Sequence, residues 1–113
     1  MTDEAPTDFH AHIYFTDETR ASALALRERL LNTTEFCVDV RPTRDRPIGP
    51  HPQPMFNVHV DDGNFAAFVH WLMRNHGPHP VLIHPVTGDD LRDHTHHAMW
   101  LGPALPLLLD ALS

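Results

Sequence analysis

His10 and His12 are separated by a single residue within Phe9-His10-Ala11-His12-Ile13-Tyr14-Phe15. Side chains alternate between the two faces of an extended strand. Phe9, Ala11, Ile13 and Phe15 therefore make a dry face, and His10, His12 and Tyr14 make a polar one. Two other alternating segments repeat the pattern. His59 shares a face with Met55 and Asn57 in Met55–Val60, and His84 shares one with Leu82 in Val81–His84. Neutral imidazoles on one surface suit two kinds of chemistry: holding a divalent transition metal, and moving protons near neutral pH.

The elements that must position these residues can be read along the chain. Residues 1–8 are expected to form a loosely attached arm, and Phe9–Phe15 the first strand. Thr16 or Asp17 can cap a helix that runs to about Leu31, burying Ala23, Leu26 and Leu30 with Leu24 and Leu31 beside them. Phe36–Arg41 is the second strand. The stretch from Pro42 to Pro54 holds five prolines, a density that forbids a helix or a central strand and makes a long, stiff connection. Met55–Val60 is the third strand, and Asp61 to Asn64 a turn and helix cap. In the following helix Phe65, Phe68, Val69, Leu72 and Met73 form an apolar stripe, ended by Gly77 and Pro78. Val81–His84 is the fourth strand. A polar segment follows, with a brief strand possible at His97–Leu101, and Pro103 can open a last helix through Leu112.

The order β-α-β-β-α-β, with a C-terminal extension, predicts an α+β ferredoxin-like domain over residues 9–113. Its antiparallel strands fall in the order 4-1-3-2, with both helices on one face. His10 then lies where the third and fourth strands end. Neighbouring strands are ~4.8 Å apart, so His10, His59 and His84 can converge, with His12 one step deeper. His10, His12, His59 and His84 are the expected metal ligands. Asp39 sits too far across the sheet to add a carboxylate, so ligand type leaves Fe, Zn, Ni and Cu open. A bare polar face needs a cover, which a face-to-face homodimer would supply.

Asp93 preceding His94 suggests a carboxylate that orients an imidazole base, although Asp93 or Thr95 can equally cap a turn. Arg41 and Asp39 read first as a cross-strand surface pair; Tyr14 and Asn57 are balanced between structural and substrate-contacting roles. Cys37 is the single cysteine, which excludes an internal disulfide and a cysteine metal cluster. The formal charge is −7 and all eight basic residues are Arg, a balance that argues against nucleic acid or an anionic membrane as partner. No apolar run approaches the ~20 residues of a membrane span. The first residues lack the apolar core of a secretory signal, so a reducing cytoplasm is expected.

Several motifs carry a resemblance to a known family. His10-Ala11-His12-Ile13-Tyr14-Phe15, Pro47-Ile48-Gly49-Pro50-His51-Pro52, Phe56-Asn57-Val58-His59-Val60, the run from His84 to Thr95, and Ala98-Met99-Trp100-Leu101-Gly102 together resemble the DOPA 4,5-dioxygenase family over roughly residues 9–112. The resemblance implies extradiol cleavage of a catechol, DOPA or a relative, by non-haem Fe(II) and O₂. On that reading some of His10, His12, His59 and His84 hold iron, His94 or whichever site histidine is not a ligand is the acid–base residue, and Tyr14, Asn57 or Arg41 contact the substrate. A non-catalytic metal- or ligand-binding dimer and a zinc hydrolase on the same fold are the competing readings.

Overall fold

In a computed structural model, residues 5–112 are described. Of the expected arm, residues 1–4 fall outside that range, and Asp8 already belongs to the first strand. The elements run β1 (Asp8–Tyr14), α1 (Arg20–Asn32), β2 (Asp39–Arg44), β3 (Met55–Asp61), α2 (Asp62–Asn75), β4 (Val81–Pro85), α3 (Asp90–Asp93) and β5 (Met99–Leu101), with a final 3₁₀ turn at Leu109–Leu112. The fold is α+β. Its one sheet is antiparallel in the order β2-β3-β1-β4-β5, so the four expected strands lie as expected and β5 extends the β4 edge.

Alternation fixes which side of the sheet is dry. Ala11, Ile13, Phe56, Val58, Val81 and Ile83 pack with Ala23, Leu26 and Leu30 of α1 and Phe68, Val69 and Leu72 of α2. Each fully buried Leu, Ile, Val or Phe here contributes roughly 1.5–3 kcal/mol. Asp61 caps α2 by accepting from the Asn64 amide, and Gly77 follows the helix at φ 57°, a conformation that costs glycine nothing. Trp71, rather than the expected Met73, is buried in α2, and Met73 is 55% exposed. Phe36 explains the difference: its ring lies 5.6 Å from Phe68 and 6.1 Å from Trp71, which widens the buried stripe to that side. Leu31, expected beside the stripe of α1, is likewise exposed.

Three expected boundaries move. β2 begins at Asp39 rather than Phe36 and extends through Pro42 to Arg44. It is an edge strand with an irregular register between Val40 and Thr43, the setting in which a strand tolerates proline. Residues 90–93, within the polar segment, form the short α3, where the Asp89 carboxylate caps the Arg92 amide. The expected helix from Pro103 shrinks to the 3₁₀ turn. Pro103 and Pro106 lack N–H donors, and the segment instead lays Leu105 and Leu107 over Tyr14, Met55 and Leu82. The chain thus covers part of its own open face. No described helix is long and apolar enough to cross a membrane.

Candidate functional site

Register brings the strand histidines together. His10 lies between His59 on β3 and His84 on β4 in the same rung. His12, two residues on, lies between Asn57 and Leu82. The donor nitrogens of His10, His12 and His84 fall within 4.8 Å of one another, and so do those of His12, His51 and His94. Two nitrogens trans across one ion are ~4.2 Å apart, so both groups are close to ligating spacing. His12 belongs to both.

Hydrogen bonds fix several protons. A carbonyl can only accept, so His84 Nδ1 donates to the Pro85 oxygen at 2.8 Å and His94 Nδ1 donates to the Asp90 oxygen at 2.7 Å. In the neutral tautomer this leaves the lone pair on Nε2, the pattern by which backbone carbonyls orient metal-binding histidines. His12 Nε2 sits 3.0 Å from His84 Nε2 and donates to it. That leaves His12 Nδ1 as a lone pair in a side chain only 4% exposed, with no hydrogen-bond partner. Two nitrogens bound cis to one ion at ~2.1 Å stand ~3.0 Å apart, the separation of these two Nε2 atoms. The residues present fit a divalent metal, with imidazoles alone as ligands.

Electrostatics keeps the cluster neutral. Burial first, then the positive ends of neighbouring histidines, push His10 and His51 down to about 4. The same causes hold His12 well below the ordinary imidazole value. His84 is lowered mainly by burial, against the opposing bond to Pro85. At neutral pH these rings carry lone pairs rather than charge, the state a metal binds.

The other expected site residues separate. His59 lies outside both donor groups; it stacks on His10 with centroids 3.9 Å apart and pairs with Asn57 at 3.1 Å. Tyr14 is fully buried, its hydroxyl 2.6 Å from His51 Nδ1. That contact places it behind a site histidine. Asn57 Oδ1 is buried and unpaired. Arg41 is exposed and bonds Asp39 at 3.3 Å along the same strand, so the pair is not cross-strand. Asp93 does not orient His94. Its carboxylate accepts from the Thr87 amide and hydroxyl and from His97 Nδ1 at 3.2 Å, because one helical turn brings residue 97 rather than residue 94 onto it.

Sequence reading missed His51. It sits in the proline-rich loop, held by a turn to Ile48 and by the bond from the Leu108 amide to the Pro50 oxygen. A lone histidine between Pro50 and Pro52 in a connection too long for a hairpin was the available signal. A cleft of about 480 Å³ opens beside the cluster, lined by Arg41, Arg44, Ile48, His51, Asn57 and His59.

Comparison with known proteins places this site among relatives. A profile of the Dopa 4,5-dioxygenase family matches residues 9–111. An uncharacterized 21.2 kDa protein of Botryotinia fuckeliana is 38% identical over 88% of this chain and 60% of its own length. A DOPA 4,5-dioxygenase of Amanita muscaria is 33% identical over 96% of this chain and 51% of its own. The chain thus spans between half and two thirds of these relatives. A crystal structure from Nostoc punctiforme, provisionally described as a dioxygenase, superposes with a TM-score of 0.87 at 40% identity, covering 93% of this chain and 90% of that one. With a match that runs from the first strand to the last turn, the chain belongs to the Dopa 4,5-dioxygenase family.

Proposed function

We propose that this protein is a non-haem Fe(II) dioxygenase that opens the ring of a catechol with O₂ in the extradiol manner. The observation that carries the reading is His12, a buried ring with an unpaired nitrogen that two histidine groups share. Held by these histidines, iron would supply Lewis acidity toward the two catechol oxygens and a path for electron density between the ring and O₂.

The chain's own residues divide the remaining work. His12 holds the metal with either His10 and His84 or His51 and His94, and the histidines of the unused group are left to move the catechol protons. His94 is the base in the first division and a ligand in the second. Its Nδ1–H is tied to Asp90 in both, so Nε2 does the work. Asn57 Oδ1, buried without a partner at the cleft, accepts from a substrate hydroxyl. Tyr14 holds His51 in place, and Trp100, Leu105 and Leu107 keep water from that side of the sheet.

Anaerobic purification, loading with Fe(II), and addition of L-DOPA or caffeate before air tests the reading. It expects a yellow ring-opened product. No product with any catechol would favour a metal- or ligand-binding module, and zinc as the metal found after purification would favour hydrolysis. The homodimer is a separate proposal. The C-terminal segment already covers part of the open face, and sedimentation of the full chain decides whether a second copy covers the rest.

A further inference from the structure

Arg44 follows Arg41 by three residues, and a regular strand would send the two side chains to opposite faces. The register of β2 on β3 shows why they share one. Val40 pairs with Val58 and Thr43 with Phe56, three steps on β2 against two on β3. Arg41 and Pro42 together oppose Asn57, a bulge that reverses the alternation beyond it. Asp39 opposite His59 and Arg44 opposite Met55 therefore lie on the imidazole face. Pro42 has no N–H to lose from the ladder, so the bulge falls where the sequence tolerates it.

Both arginines line the cleft that reaches His51 and Asn57. They differ in how they are held. Arg41 is engaged by Asp39. The Arg44 guanidinium has no hydrogen-bond or ion-pair partner among the described residues. The acid next to it in sequence, Asp45, is turned away to Arg20 at 3.0 Å. An unpaired guanidinium at the rim of a cleft, in a chain of net charge −7, is a local exception to a field that otherwise repels anions. Its planar fork matches a carboxylate in two parallel bonds.

We propose that Arg44, brought onto the histidine face by the bulge at Arg41-Pro42 and flanked by Arg41, binds the carboxylate of an acidic side chain on the substrate ring and so determines specificity. The ring would lie toward His51 and Asn57 and the acid toward the rim. The preference for a catechol core rests on the function proposed above; the preference for an anion does not.

Two measurements separate the two. Calorimetry on the metal-free protein compares 3-phenylpropanoate with its uncharged amide. The acid should bind about ten-fold tighter or more, and Arg44→Gln should remove that difference. On the iron-loaded protein, Arg44→Gln should raise KM for 3,4-dihydroxyphenylpropanoate about ten-fold, leave kcat within about two-fold, and leave 4-methylcatechol unchanged. Arg44 is exposed, so the variant should melt with the wild type, and a thermal scan checks that it does. Equal binding of acid and amide, or an Arg44→Gln variant that keeps the preference, overturns the assignment. Selective acid binding without cleavage of any catechol would leave Arg44 standing and remove the dioxygenase reading; cleavage without acid preference would do the reverse.

Discussion

Tyr14→Phe isolates a single hydroxyl at the back of the site. The Tyr14 ring is fully buried and His51 is 5% exposed, and their bond is 2.6 Å long. Phenylalanine keeps the ring against Met55, Leu82 and Trp100, so packing is preserved and no cavity forms. What changes is that His51 Nδ1 loses its partner in a place water does not readily reach. An orphaned buried group costs about 1–3 kcal/mol. For a domain of this size that is roughly a 4–12 °C fall in the melting temperature of the metal-free protein. Circular dichroism melts measure it directly, and an anaerobic iron titration on the same variant adds a second reading. If His51 is a ligand, loss of its supporting bond should weaken iron about 10–100-fold. If iron uses His10, His12 and His84, the melting temperature should fall and iron affinity should hold. A variant that melts with the wild type would refute the argument that this bond positions His51.

Further outcomes follow from other parts of the fold. His10 and His51 titrate near 4 in the folded chain against about 6.5 when unfolded. Below 6.5 the unfolded state therefore binds more protons. The stability of the metal-free protein should be full above that pH and fall as the pH drops from about 6.5 to 4; urea midpoints that stay flat across the window would contradict the buried, neutral cluster. Leu72→Ala removes a fully buried side chain between α2 and the sheet and should cost about 2–5 kcal/mol in urea unfolding without changing the histidine site. Asp93→Asn weakens a buried carboxylate that Thr87 and His97 bond. It should cost about 1–3 kcal/mol, and a variant as stable as the wild type would show that the turn does not depend on this carboxylate. His94→Ala separates the two ligand divisions, since iron should stay bound with catechol turnover lost if His94 is the base, and should be lost if His94 is a ligand.

How far the sequence could be read depended on whether a residue's position follows from local periodicity. His10, His12 and His84 were legible because each sits on a regular strand whose apolar alternates fix its face. His59 obeys the same rule, yet it stacks on His10 outside both donor groups, since a shared face does not fix a shared point. His51 was not legible in this way. It is placed by a proline-rich loop and by the amide of Leu108, contacts that no periodic pattern encodes. Arg44 was hidden by the bulge, because strict alternation assigns it to the core side. The reach of Asp93 to His97 rather than His94 was concealed by α3, which is too short to show an apolar stripe. The terminal helix failed for a related reason: the leucines after Pro103 look helical, but they are drawn onto the open face around Tyr14, Met55 and Leu82.

The account turns on His12, the one side chain both donor groups share. Anaerobic Fe(II) titration of the wild-type chain and of His12→Ala, with bound iron measured after gel filtration, tests it most directly. The account predicts one iron per wild-type chain and none retained by the variant, while circular dichroism shows both chains folded. A folded His12→Ala chain that keeps a full complement of iron would contradict it.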